Sequence, residues 1–243
     1  MIYDGTDLNQ IFSVTKYDGI GAPSLRTTMW SPTKGNGDRI AIARQPNKTV
    51  KVTFVIESDD AGDMADKVEA LYSIFRIGKE FVDIQFEEDD SLLYKGRVTS
   101  VQRTAYHFTV AEYVITLTCL PFRYGEWKTV RASGNRISGD NMGTAPSAGY
   151  IVFTIANDPD SITVQIQNRG AIQLVKPSDD DLNGDWIIDL ETRTVYRDNA
   201  LAMEVVGFEN TTFETAEVPA GNFVITFDST VTNASYSYQE VFL

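Results

Sequence analysis

The sequence predicts a mainly β protein in two parts: an N-terminal β-sandwich-like domain with one packed helix, then a C-terminal β-sandwich. Three observations predict it. Short apolar runs of period two recur along the chain, a single stretch carries helical periodicity, and the charge balance breaks past the middle. With 243 residues, 42% of them hydrophobic and 11% aromatic, the chain can bury two cores of ordinary size.

Elements follow in chain order. Thr49 to Ile56 alternates, with Val50, Val52, Phe54 and Ile56 on one face of a strand. Within Ser58 to Ile77, Met64, Val68, Leu71, Tyr72 and Phe75 fall at spacings of three and four, which predicts an amphipathic helix over about 59–77. Ser58, Asp59, Asp60 and Asp63 suit its N-terminus, where side chains satisfy free amides, and Gly78 ends it. Strands follow at Phe81 to Phe86, Leu92 to Val101 and Phe108 to Leu120, the first two joined by a charged turn, Glu87 to Ser91. This order gives an antiparallel or mixed sheet with one helix laid across it.

Residues 131–149 are rich in Gly, Ser, Asn and Ala without apolar period, so the domains are set at 1–135 and 150–243 with 136–149 as linker. Residues 1–135 carry 16 Lys and Arg against 18 Asp and Glu; residues 136–243 carry 5 against 16. The acidic part is repelled by phosphate backbones, which argues against sequence-specific nucleic-acid binding. Beyond the linker, strands are expected at Tyr150–Ala156, Ser161–Gln167, Asp185–Leu190, Thr194–Tyr196, Leu201–Val206 and Asn222–Phe227. Turn signals such as Asn183-Gly184 separate them, the spacing of a β-sandwich.

Signals for chemistry are thin. Cys119, the one cysteine, lies in an apolar strand, where a buried inert thiol is expected and no disulfide is open to it. His107 is the one histidine, which rules out paired-imidazole sites. Ser31 to Lys34 fits S-x-x-K but runs into the loop Gly35 to Asp38 instead of a helix. Asp179, Asp181 and Asn183 fit the first half of a calcium loop, yet its twelfth position is Leu190; a solvated acidic turn is the simpler reading. No catalytic residue, cofactor-binding residue or metal ligand set is assigned, no cofactor is expected, and the chain is read as a non-enzyme. The N-terminus shows no leader-like pattern and no apolar run is long enough to span a membrane, so synthesis in a reducing compartment is expected.

Three segments together resemble the distal tail proteins of long non-contractile-tailed bacteriophages. These are Thr118 to Tyr124, with its Pro121-Phe-x-Tyr signature; Asn141-Met-Gly-Thr-Ala-Pro146; and Trp186 to Tyr196 followed by Phe223 to Phe227. The pattern departs at Leu120, where the family often has an acidic residue, and around 31–38, which lacks a Gly-Arg-x-Gly stretch. The resemblance implies a galectin-like C-terminal sandwich. It also implies a homo-hexameric ring at the tail tip, formed by the N-terminal domain, through which DNA passes. Implied partners are copies of itself, the tail tube protein above, the tail-associated hub protein below, and receptor-binding or baseplate proteins. The protein would be made in the host cytoplasm and reside in the virion, without membrane contact. Edge strands and the loop around Gly35 are the expected ring contacts. A second reading is a sandwich recognising host cell-wall saccharide through Trp186, although Trp186 sits in an apolar run that reads as core. A metal-dependent hydrolase has only the Asp179 cluster in its favour.

Overall fold

The structure, a computed structural model, describes residues 1–21, 26–30, 39–78, 80–87, 92–178 and 180–243, with 26–30 and 39–44 described as backbone. It divides into two compact units, 1–124 with Leu243, and 125–242. Each has its own hydrophobic cluster.

The first unit is built from β1 (Ile2–Tyr3), β2 (Thr6–Asp7), β3 (Ser13–Asp18), β4 (Arg26–Trp30), β5 (Arg39–Arg44), β6 (Lys48–Glu57), α1 (Ala61–Ile74), β7 (Val82–Gln85), β8 (Leu93–His107) and the start of β9 (Val110–Arg131). Its main sheet runs β3-β6-β9-β8-β7-β1-β2, and β4 pairs with β5 separately. All these pairings are antiparallel. The β6–β9 pairing runs unbroken from Lys48↔Cys119 to Glu57↔Val110. It places Val50, Val52, Phe54 and Ile56 beside Ala111, Tyr113, Ile115 and Leu117, all buried, as alternation predicts.

The helix is shorter than its periodicity implies, ending at Ile74 instead of Ile77. Asp60 is the N-cap: its carboxylate accepts from Gly62 N and Asp63 N, a cap worth about 1 kcal/mol. Met64, Leu71 and Phe75 are buried, and the Phe75 ring meets Tyr3 at 4.9 Å and Phe54 at 5.3 Å. Tyr72, expected on the buried stripe, is half exposed and leans edge-on against Tyr113. Gly78 adopts a left-handed φ of 89° in the turn beyond the helix, not as its cap.

Strand β9 continues eleven residues past the expected end at Leu120. Proline there reads as a terminator because it cannot donate to a ladder. The register explains its tolerance: pairing with β8 shifts between Gly96↔Cys119 and Tyr94↔Arg123, so Leu120, Pro121 and Phe122 lie opposite Lys95 in a bulge. The Pro121 signature is thus the bulge through which one strand serves both units. The charged turn at 88–91 lies outside the described residues.

The second unit holds β10 (Arg136–Asn141), β11 (Gly149–Ile155), β12 (Ser161–Ile166), β13 (Ala171–Val175), β14 (Gly184–Asp189), β15 (Thr194–Arg197), β16 (Ala200–Leu201), β17 (Gly221–Phe227) and β18 (Thr232–Phe242). One sheet runs β16-β15-β14-β11-β18 and takes the end of β9 beside β18; the other runs β10-β17-β12-β13. Ile151, Phe153, Trp186 and Ile188 from the first join Ile162, Val164, Ile172 and Ile225 from the second in one buried cluster, a β-sandwich. Tyr236 and Tyr238 stack at 5.2 Å in this core, and their hydroxyls donate to Ser147 O and Asp140 O.

The segment 136–149, expected as a linker, is part of this sandwich. β10 pairs with β17 from Arg136↔Thr226 to Asn141↔Gly221, and Ile137 is buried. Asn141 is fully buried: its amide donates to Ala145 O and Pro219 O, and its Oδ1 accepts from Gly143 N. A Cβ on Gly143 would lie 2.5 Å from Val241 O, so the Asn-x-Gly segment is a packed turn and not a tether. Leu201–Val206, expected as a strand, pairs only through Leu201; a 3₁₀ turn over Met203–Val205 then carries Val206 to bridge Leu174 in the other sheet.

Gly96 faces the first core, where a Cβ would come within 2.7 Å of Ile84 Cδ1 and 2.8 Å of Cys119 Sγ. Gly96→Ala is expected to cost about 1–3 kcal/mol by overpacking. Thermal unfolding followed by circular dichroism checks this, and an unchanged midpoint would show that the site yields freely.

Candidate assembly surface

Strand β8 leaves part of one edge unpaired among the described residues. β7 pairs with it only from Val82↔Gly96 to Ile84↔Tyr94, whereas β9 pairs with it as far as His107↔Val110. From Arg97 to His107 one edge of β8 therefore has no strand partner among the described residues. Such an edge is a template for another chain. Two bulges on this stretch, between Val98 and Ser100 and between Arg103 and Ala105, interrupt the ladder and increase local twist.

The hairpin tip adds apolar area. Tyr106 is 55% exposed, Phe108 63% and Val110 40%. The Arg103 guanidinium stacks 4.9 Å from the Tyr106 ring centroid, and Thr104 Oγ1 donates to Glu112 at 2.6 Å across the hairpin. Arg103 thereby covers one face of the exposed Tyr106 ring. His107 lies exposed at this tip. Burial pushes the Cys119 thiol up to about 12, which leaves no thiolate for chemistry.

In the second unit the acidic turn is organised around a cation of its own. Arg197 Nη1 donates to Asp180 Oδ2 at 2.6 Å and to Asp181 O at 3.0 Å. Its Nη2 donates to Asp181 Oδ1 at 2.8 Å and its Nε to Asn183 O at 2.9 Å. Asn183 Oδ1 accepts from Asp158 N, and Lys176 pairs with Asp158. Of the side-chain oxygens that a calcium loop would use, Asp181 Oδ1 accepts from Asn183 N and Arg197 Nη2, and Asn183 Oδ1 accepts from Asp158 N; Asp179 lies outside the described residues. Among the described residues no three His, Cys, Asp or Glu side chains form a metal-holding group, and no helix is long and apolar enough to cross a membrane.

Trp186 does not face solvent. It is 0% exposed, its Nε1 donates to Leu182 O at 2.9 Å, and Arg197 covers its ring at 5.7 Å. A saccharide cannot stack on it, so the second sequence reading loses the residue it named. Trp186→Ala is expected to cost about 3–5 kcal/mol as a core cavity, read as a large drop in thermal midpoint. The Ser31 to Lys34 segment and the Gly35 loop lie outside the described residues.

The carboxyls around Arg197 make the second unit acid-sensitive. The Lys176 hydrogen bond, then that of Leu182 N, holds Asp158 below the usual carboxylate range; the Asp181 amide, then Arg197, does the same for Asp180. Groups held low in the fold stabilise it above the free-chain value near about 4, and that contribution is lost as pH falls through the lowered value. Thermal midpoints measured from neutral to strongly acidic pH are expected to drop below about pH 4. Arg197→Met should start lower at neutral pH and fall less steeply, and an equally steep fall would acquit this cluster.

Comparison with solved structures supplies a match for the whole arrangement. The Dit (gp 19.1) protein of phage SPP1, described as a paradigm of the hub adsorption apparatus in phages infecting Gram-positive hosts, superposes with a TM-score of 0.79 at 18% identity, covering 100% of this chain and 98% of that one. The phage P2 baseplate in its activated conformation matches with TM-scores of 0.48 with calcium, at 8% identity over 95% of this chain and 90% of that one, and 0.49 with strontium, at 12% over 94% and 90%. No protein-family model matches the chain, and no curated protein does. Over its full length, this mainly β chain has the fold of the SPP1 Dit hub protein, the fold that its resemblance to distal tail proteins predicts.

Proposed function

We propose that this chain is a structural protein of a phage tail tip, acting by assembly and not by catalysis. The whole-chain likeness to the SPP1 Dit protein carries the reading, because both units and the strand passing between them are matched together. The open edge of β8 and its exposed tip supply a physical reason for self-association, since unpaired strand groups and exposed aromatics both gain from a second copy.

In this reading the first unit closes a homo-hexameric ring that joins the tail tube to the tail-associated hub, with DNA passing through it. Near-neutral charge over residues 1–135 lets copies pack without strong repulsion. A closed ring uses one patch against a different patch on the next copy, repeated until the rotation closes. The second unit is a galectin-like module that docks receptor-binding or baseplate proteins, and its acidic surface favours a basic partner. The protein resides in the virion.

Light scattering joined to negative-stain imaging tests the ring. Six copies in a ring, or a ring that forms as concentration rises, is the expected result; a strict monomer that stays monomeric with a hub protein overturns it. Gln102→Lys combined with Ala105→Lys places charge on the open edge at exposed positions. This variant should keep its thermal midpoint and lose the ring. A ring that survives would mean closure uses another edge.

A further inference from the structure

We propose that the segment 206–212 is an edge guard: it occupies the outer edge of β13 and keeps the second unit from pairing strand to strand with another copy of the chain. β13 closes one end of the sheet β10-β17-β12-β13. Its sequence, Ala171-Ile-Gln-Leu-Val175, holds no charge and no proline, and neither does that of its neighbour β12, Ser161–Ile166. Short uncharged stretches of high β-propensity are the ones that stack strand on strand. A bare edge of that kind is a template for a second chain unless something blunts it.

The guard meets that edge group by group. Ala171 N donates to Thr212 Oγ1 at 3.0 Å, and Thr212 N donates to Ala171 O at 2.8 Å. Gln173 N donates to Thr211 Oγ1 at 3.1 Å, and Gly207 N donates to Gln173 O at 2.9 Å. The outward N–H and C=O of both residues are thus paired, and two threonine hydroxyls stand where a strand would place carbonyls. Val206 bridges Leu174, and Asn210 Nδ2 donates to Gln173 Oε1 at 2.8 Å. Buried Val206 at one end and buried Phe213 and Ala216 beyond the other fasten the segment. The fit is close, since a Cβ on Gly170 would lie 2.6 Å from Thr212 O.

A further strand would only move the problem outward, because it would present an edge of its own. This segment ends the sheet instead. It turns into 3₁₀ helix at Phe208–Asn210, with another at Phe213–Thr215 just beyond. Its groups are used locally, Asn210 N donating to Gly207 O at 3.0 Å and Thr215 N to Thr212 O at 3.2 Å. Glu204, Glu209 and Glu214 lie exposed on and beside it, so two copies brought guard to guard meet like charges. With the guard lifted, the partner is a second β13. An uncharged strand can lie antiparallel to its own copy across a two-fold axis, a self-complementary contact that needs no other patch.

The test compares variants with a parent, the full chain carrying Gln102→Lys and Ala105→Lys, so the comparison stands whether or not β8 closes the ring. Thr211→Val with Thr212→Val keeps the side-chain shape and removes both hydroxyl acceptors. Amide exchange at Ala171 and Gln173 is expected to quicken about fivefold or more. Sedimentation at about 100 μM is expected to give at least about twice the parent's average mass. Adding Val175→Lys puts a charge on the bared edge at a residue 40% exposed. It should return the mass to the parent's while exchange stays fast. Mere loss of stability predicts no such rescue. Should the double variant fail to fold, Thr212→Val alone is measured in the same way. Parent-like mass together with fast exchange would overturn the guard. So would parent-like exchange, which would mean that the hydroxyls hold nothing, or a doubled mass that Val175→Lys leaves in place.

Discussion

The ten-pair antiparallel ladder between β6 and β9 is the constraint on which the first unit depends. A slip of one residue would turn Val50, Val52, Phe54 and Ile56 from core to solvent at once, so the register is fixed by burial and not by any turn. With β9 held, β8 is placed against it, and the aromatic cluster of Tyr3, Phe54 and Phe75 closes over the same face beneath α1. The open edge of β8 is a consequence: β7 is only four residues long and leaves the upper part of a fifteen-residue strand uncovered.

The second unit solves a different problem, that of excess negative charge. Its acidic turn is held by the chain's own Arg197, whose guanidinium reaches Asp180, Asp181 and the Asn183 carbonyl while lying on Trp186. One planar cation thereby offsets part of the turn's charge and lies over the core tryptophan, which a compact ammonium could not do. Sequence pattern places the acids together, but their counter-ion comes from fourteen residues beyond Asn183 and is invisible to a local motif.

Legibility in the sequence followed the range of the interactions. Helix α1 and strands β6, β14 and β15 are legible in local pattern, as is Trp186 as core. β10 is not, because Ile137 is its one apolar residue in a run of Ser, Gly, Asp and Asn, and its partner β17 lies some eighty residues away. Phe223 covers Gly139 so closely that a Cβ would meet its ring at 2.6 Å, a contact that stabilises a strand its own composition disfavours. β13 is short, and β18 mixes Ser and Asn among its tyrosines. The bulge at Pro121 reversed the ordinary meaning of a proline. As for surfaces, the open β8 edge follows from pairing that only the fold displays.

The burial of Cys119 has a practical corollary. It is the chain's one cysteine and sits wholly inside the first unit's core, with its thiol held in the unreactive form. A thiol reagent therefore reaches it only when that unit opens. The rate of labelling becomes a clock for opening of the first unit alone, read without interference from the sandwich that follows it.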